Sequence, residues 1–186
     1  MGNQGFRNVL IKRDYFEENS DFIKMLDGGN VDKQKERNYL FIEVQYKNNT
    51  LLVPLRRNLG NPCRPFGVIG FAVPCASRPL AGLDYRYILI VNDSEYLDFQ
   101  ERLDIPRPQR YIIADNYNQI ELEVIQYVEG YIAYAIKNRA TREPLYRESS
   151  LQNFNKELGI LEGRILRQRE LEAKKTQQIN KKEKAI

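Results

Sequence analysis

Apolar and polar positions change period several times along this chain, and each change predicts an element. Residues 6–16 (FRNVLIKRDYF) carry a short apolar run that predicts a first strand. Residues 17–27 predict a short helix, ended by Gly28-Gly29-Asn30. Two apolar runs, 39–46 and 50–55, flank Lys47-Asn48-Asn49. Asn tolerates positive φ, and β-branched and aromatic residues fill the flanks, so this stretch predicts a β-hairpin. Residues 59–66 hold Pro62, Pro65 and Gly60 and read as an ordered loop, and 67–76 as a small apolar strand. After a loop at 78–81, residues 82–92 (GLDYRYILIVN) predict a strong strand. Residues 93–103 suit a helical turn region, broken by Pro106 and Pro108.

The period then becomes helical. Over 109–136, Ile112, Ile113, Ile120, Val124, Val128 and Ile132 fall near one side, and Tyr127, Tyr131 and Tyr134 extend that face. The stripe reads as a helix packed on a sheet. A loop at 141–146 contains Pro144. Residues 149–182 are helix-prone and increasingly polar. Leu151, Phe154, Leu158, Leu161, Ile165 and Leu166 can pack, and beyond Leu171 little can. The expected organisation is one domain at 1–162 and a basic helical extension or frayed tail at 163–186.

Composition narrows the chemistry. With 42% hydrophobic residues the chain can bury a core, but no apolar run reaches transmembrane length. The start MGNQGFRNVLIKRDYF lacks a secretory h-region, and Phe6 stands where a myristoylation signal needs Ser or Thr. Cys63 and Cys75 form no CxxC pair and fit free thiols in a reducing cytosol. Histidine is absent, which excludes a His-based acid/base pair, a Ser-His-Asp triad and a His-ligated metal. Asp14, Asp84, Asp93, Asp98 and Asp104 show no spacing of a known metal loop, and neither a Walker loop nor G-x-G-x-x-G occurs. Carboxylate-only metal binding stays open on these residues, but no metal or cofactor is expected. Any catalysis must use Arg, Lys, Tyr, Ser, Asn or carboxylates.

The net charge of +4 is uneven. Residues 163–186 hold eight basic and three acidic residues, a net +5, while 1–162 hold 21 against 22. Anion-binding surface on the domain must therefore come from local clusters. Lys12-Arg13 is one. Lys33, Lys35 and Arg37 precede the first hairpin strand, and Arg56, Arg57 and Arg64 follow the second. An antiparallel hairpin brings Arg37 and Arg57 to the same end. Asn38, Tyr39 and Asn58 add hydrogen-bonding and stacking capacity, and cations interleaved with aromatics suit a single-stranded nucleic-acid groove. The planar guanidinium fork suits phosphate oxygens. Arg56 and Arg57 read equally as a solvated strand end, and Arg37 as a hairpin-end ion pair with Glu36 or Glu43. Asp84 and Arg86 alternate in phase on one strand and read as a structural ion pair across the sheet.

The pieces FIEVQYKNNTLLVPL (41–55), AGLDYRYILIVND (81–93), IPRPQRYI (105–112) and PLYRESSLQNF (144–154), in this order, resemble the toxins of type III toxin–antitoxin systems. These are the ToxN/AbiQ, CptN and TenpN group, and the likeness covers residues 6–162. The GLDYR form is closer to the CptN or TenpN branches. The resemblance implies an α+β fold like the MazF/Kid endoribonucleases: a compact, strongly twisted antiparallel sheet, a partly open barrel, with surrounding helices. It implies metal-independent RNA cleavage leaving a 2′,3′-cyclic phosphate, and inhibition by a small structured antitoxin RNA that the toxin itself processes from tandem repeats. It also implies closed heteromeric protein–RNA assemblies, cellular or phage RNA substrates and a bacterial cytoplasmic setting, with no membrane.

Carried onto this sequence, the basic residue before the first hairpin strand falls on Arg37. The active-site segment after "PL" falls on Arg56, Arg57 and Asn58. The ToxN branch has a Thr-Ser pair and a nearby Lys there; this chain has neither, so the hydroxyl role has no residue and the general acid/base none. Lys12, Arg13, Lys33, Lys35, Tyr39, Arg64 and Arg86 are the expected RNA contacts, and Tyr15 a base-stacking ring. Two other classes remain open: a non-catalytic RNA- or DNA-binding regulator using the same groove, and an interaction protein using the 163–186 helix to self-associate.

Overall fold

The structure is a computed structural model that describes residues 6–35, 39–99 and 105–183. Strand β1 (Phe6–Ile11) leads into helix α1 (Arg13–Glu18). The helix begins earlier than the predicted 17–27. Tyr15 and Phe16 turn into the core, and the Asn19 side chain donates to the Tyr15 carbonyl at 2.7 Å where the helix stops. Gly28-Gly29-Asn30 starts a helix instead of ending one: Asn30 Oδ1 accepts the Lys33 N–H at 3.0 Å and caps α2 (Val31–Lys35).

The predicted hairpin forms from β2 (Tyr39–Tyr46) and β3 (Asn49–Arg56). Its turn tightens to Lys47 and Asn48, both at positive φ (49° and 69°). That is the type I′ pattern, whose twist matches the flanking strands. A register shift between Leu40 and Val44 marks a bulge in β2. The loop and strand expected over 59–76 resolve into a separate small hairpin, β4 (Cys63–Arg64) with β5 (Gly67–Val68), followed by β6 (Gly70–Ala72).

The 82–92 stretch runs antiparallel along β3 in two pieces, β7 (Gly82–Asp84) and β8 (Leu89–Ile90). A 3-10 turn, Tyr85–Tyr87, separates them, because the Asp84 carboxylate accepts the Arg86 N–H at 3.2 Å and pulls the chain out of the ladder. After a second 3-10 turn at Ser94–Tyr96, β9 (Leu97–Phe99) pairs with β1. The order is β6-β7-β3-β2-β1-β9, with β8 also on β3 and every pairing antiparallel. The fold is thus α+β, and among the described residues the sheet stays open; it is not a closed barrel.

Two helices replace the single predicted one. Asn116 donates to the Ile112 carbonyl from its backbone N–H and its side chain, ending α3 (Arg107–Asp115) before α4 (Tyr117–Ile136) begins. On α4, Ile120, Val124, Tyr127, Val128 and Tyr131 are buried in one core with Leu51, Leu52, Val53, Leu83 and Ile88. Each such side chain contributes roughly 1.5–3 kcal/mol. The expected packing of the tyrosine stripe is observed, with Tyr127, Tyr131 and Tyr134 ringing Tyr146 at centroid distances of 5.3–6.0 Å. Gly130 makes room for the Tyr146 hydroxyl, which a Cβ would strike. The 149–182 helix is interrupted: a 3-10 turn at Ser150–Asn153 comes first, and Gly159 at φ 63° precedes α5 (Ile160–Glu183). No helix among the described residues is long and apolar enough to cross a membrane.

Candidate anion-binding site

Strand order brings the exits of β1 and β3 to one end of the sheet. Val9 of β1 pairs with Tyr39 at the start of β2, and Tyr39 pairs with Pro54 near the end of β3. The chain therefore leaves β1 into Lys12-Arg13, and leaves β3 into Arg57-Asn58, on the same side. With β2 between them, these exits lie two strand spacings apart, about 10 Å. Arg37 and its neighbours Glu36 and Asn38 lie outside the described residues.

Beyond β3 the chain is pinned back. Leu59 is buried, and the Leu59 and Gly60 N–H groups both donate to the Leu80 carbonyl, at 2.7 and 3.2 Å. Gly82 admits this anchor, since a Cβ there would meet Leu59 Cδ2 and the Phe71 carbonyl. On the facing loop, Cys75 and Arg78 exchange backbone hydrogen bonds in a tight turn. The two loops enclose an open recess of about 280 Å³ lined by Arg57, Asn58, Ser77, Arg78, Pro79 and Leu80. Two arginines, an asparagine and a serine thus share this lining, and no acidic residue is among the described residues that form it. Arg64 reaches toward the same segment, its NH2 lying 3.4 Å from the Leu59 carbonyl. The Cys75 thiol lies 3.4 Å from the Ser77 hydroxyl, which holds its pKa below the usual thiol value, aided by nearby backbone N–H groups and Arg78.

Consecutive residues Arg56 and Arg57 are separated by the fold. Arg56 NH1 donates to Asp84 Oδ2 at 2.8 Å, and Arg86 grips the same carboxylate through Nε at 2.9 Å and NH2 at 2.8 Å. Asp84 is fully buried, while the two arginine side chains keep 29% and 22% exposure. Both guanidiniums also lie near the Tyr87 ring, at 5.4 and 5.6 Å from its centroid. Asp84 hydrogen bonding raises the Arg86 pKa further. The ion pair across the sheet expected for Asp84 is present, with Arg56 as its cross-strand partner and Arg86 as its local one.

The other expected contacts scatter. Arg13 pairs with Glu17 and Asp32, Lys12 is exposed ahead of α1, and Lys33 is exposed on α2. Lys35 closes α2, and Tyr39 opens β2. Tyr15, expected to stack a base, is 5% exposed; its hydroxyl donates to the Ile90 carbonyl at 3.3 Å and its ring meets Phe16, Phe22 and Tyr96 edge-on. In this fold Tyr15 is a core residue, because α1 follows β1 immediately and turns it inward. Sequence reasoning missed Ser77 and Arg78. The two Arg-Pro steps bracketing the 67–76 stretch, Arg64-Pro65 and Arg78-Pro79, were the available signal.

Among the described residues, no three Cys, Asp or Glu side chains converge to hold a metal ion. No protein-family model matches the chain, no curated protein matches its sequence, and no solved structure matches its fold.

Proposed function

We propose that this protein is a metal-independent endoribonuclease toxin of the type III toxin–antitoxin class, working at the recess between the 57–60 and 77–80 loops. The carrying observation is the lining itself: Arg57 and Arg78 line one space with Asn58 and Ser77, and its described lining holds no acidic residue. Such a site suits a phosphodiester. The 2′-hydroxyl attacks the adjacent phosphorus and forms a new P–O bond, its proton passing to water. The bond to the 5′ oxygen breaks, and that oxygen takes a proton from water. A 2′,3′-cyclic phosphate and a 5′-hydroxyl result. Arg57 and Arg78 neutralise the charge that builds on the phosphorane, while Asn58 and Ser77 orient the scissile group. Ser77 takes the hydroxyl role that the segment after β3 leaves empty. Arg56, tied to Asp84, fixes the strand end and so aims Arg57. In this reading a small structured RNA occupies the recess in the inhibited, closed protein–RNA assembly, in a bacterial cytoplasm.

One observation favours a second reading, a non-catalytic nucleic-acid-binding regulator: among the described residues, the recess has no carboxylate to take the 2′-hydroxyl proton. Induced expression of the wild type and Arg57→Ala in a bacterium lacking the antitoxin, with RNA 5′-end mapping, separates the two. Growth arrest with new sequence-biased ends, lost in the variant, supports the nuclease. Normal growth and intact RNA, with the protein soluble and abundant, overturn it in favour of the regulator.

A further inference from the structure

Helix α5 places Arg164, Arg167, Lys174 and Lys175 on one side and Arg169 on the other. Each helical residue advances by ~100°, so Arg164, Arg167, Lys174 and Lys175 fall within an arc of roughly 100°. Backbone positions 181 and 182 continue the same register. Glu162, Glu170 and Glu172 fall outside the arc, and so does Arg169, on the opposite side. The stripe begins against the body. Ile160 is buried, Gly163 abuts Ile136, and Arg164 donates to the Ala135 carbonyl through Nε at 3.1 Å and NH2 at 3.0 Å. From residue 165 to 179 every residue is exposed. The stripe therefore continues the face that meets the end of α4. The loop after that contact adds exposed Lys137, Arg139 and Arg142.

A helix solvated merely for solubility gains nothing from sorting its charges by face. This one places Arg164, Arg167, Lys174 and Lys175 on the side that meets α4, over about 16 Å between residues 164 and 175, several phosphate spacings along a nucleic-acid strand. A membrane-surface helix would set an apolar face against the basic one. Here exposed Ile165 and Leu166 on the outer side are interspersed with Glu162, Glu172, Thr176 and Gln177, and exposed Leu171 sits within the basic arc, so no continuous apolar face opposes the cations. A second copy of the arm set against the basic face would bring like charges together.

We propose that the α5 stripe, with Lys137, Arg139 and Arg142, is a phosphate-backbone clamp for a nucleic acid lying along that face, separate from the recess. It rests on the nucleic-acid part of the proposed function and not on cleavage. The positions are exposed, and Lys or Arg to Gln keeps helix propensity, so the variants fold.

The test uses the full chain and a labelled RNA hairpin carrying 2′-O-methyl groups, which 2′-hydroxyl attack cannot cleave. Affinity is followed from 50 to 200 mM KCl. Each lost phosphate contact lowers the salt slope by about 0.7–0.9, so Arg167→Gln/Lys174→Gln/Lys175→Gln shrinks the affinity ratio across that range by about 20- to 40-fold. Arg169→Gln leaves it unchanged, and Lys137→Gln/Arg139→Gln lowers it again. An unchanged slope in the triple variant overturns the clamp, as does an equal loss per charge for Arg169→Gln. So does stripe-dependent binding to phosphatidylserine vesicles with an unchanged RNA slope. If the wild type leaves unmodified RNA intact yet shows the face-specific slope, the nuclease reading falls and the clamp stands. If it cleaves RNA while the triple variant binds like wild type, the clamp alone falls.

Discussion

Replacing Asp84 with Asn removes one charge and almost no volume, so its cost isolates the buried carboxylate. Asp84 is fully buried and accepts four hydrogen bonds, from Arg56 NH1, Arg86 Nε, Arg86 NH2 and the Arg86 backbone N–H. The amide keeps one acceptor oxygen but turns an N–H₂ group toward guanidinium donors, leaving two cations side by side. Breaking a buried pair from one side costs about 3–5 kcal/mol. Because the two arginines keep 29% and 22% exposure, water takes up part of their charge, which places the expected loss near the low end, about 3 kcal/mol. For a chain of this size that is a fall in Tm of about 6–12 °C. Calorimetry and urea melts read it directly. Adding Arg86→Met to Asp84→Asn should cost less than the two single losses together, since the pair is then removed as a unit. A loss under about 1 kcal/mol, or strict additivity, would show that the carboxylate does not hold these strands. A folded, fully stable Asp84→Asn protein that lost RNA cleavage would move Asp84 from structure to chemistry.

Three further outcomes are expected. Arg78→Ala lowers cleavage of a fixed RNA by about 10²-fold in single-turnover kinetics, the usual loss for one charge-stabilising donor; an unaltered rate would remove Arg78 from the site. Alkaline unfolding should set in early: burial lifts the pKa of Tyr85 and Tyr127 well above the ordinary phenol value and that of Tyr131 to about 12, with Glu123 adding to the rise at Tyr85. These phenols are neutral in both states below pH 10, and above it only the unfolded chain ionises. Stability is therefore full below pH 10 and falls as pH rises toward 12, by at most about 1.4 kcal/mol per unit for each phenol, and urea melts that are flat between pH 10 and 11.5 would contradict this. Finally, iodoacetamide should alkylate Cys75 with a lower pH midpoint in the wild type than in Ser77→Ala, as mass spectrometry would report; equal midpoints would mean that the Ser77 hydroxyl does not stabilise the thiolate.

Local patterns in the sequence were enough for the hairpin, the helical face of 109–136 and the basic terminal segment, because each depends on neighbours a few residues apart. Two apolar runs and a tolerant Lys-Asn turn specify β2 and β3, and the 3.6-residue period specifies which α4 side chains are buried. The post-hairpin segment was legible as a candidate site for the same reason, since a strand that ends in Arg56-Arg57-Asn58 must present those groups at a sheet end. Breaks inside elements were not legible. Asn19, Asn116 and Asp84 divert the backbone through single side-chain hydrogen bonds that periodicity does not register. Only the tertiary structure decided that Arg56 joins Asp84 while Arg57 lines one recess with Arg78. That division depends on β3 pairing with β7 and on Leu59 anchoring under Leu80, contacts between segments some 20 residues apart that neither segment encodes alone. It likewise buried Tyr15, and it set which face of α5 meets the end of α4.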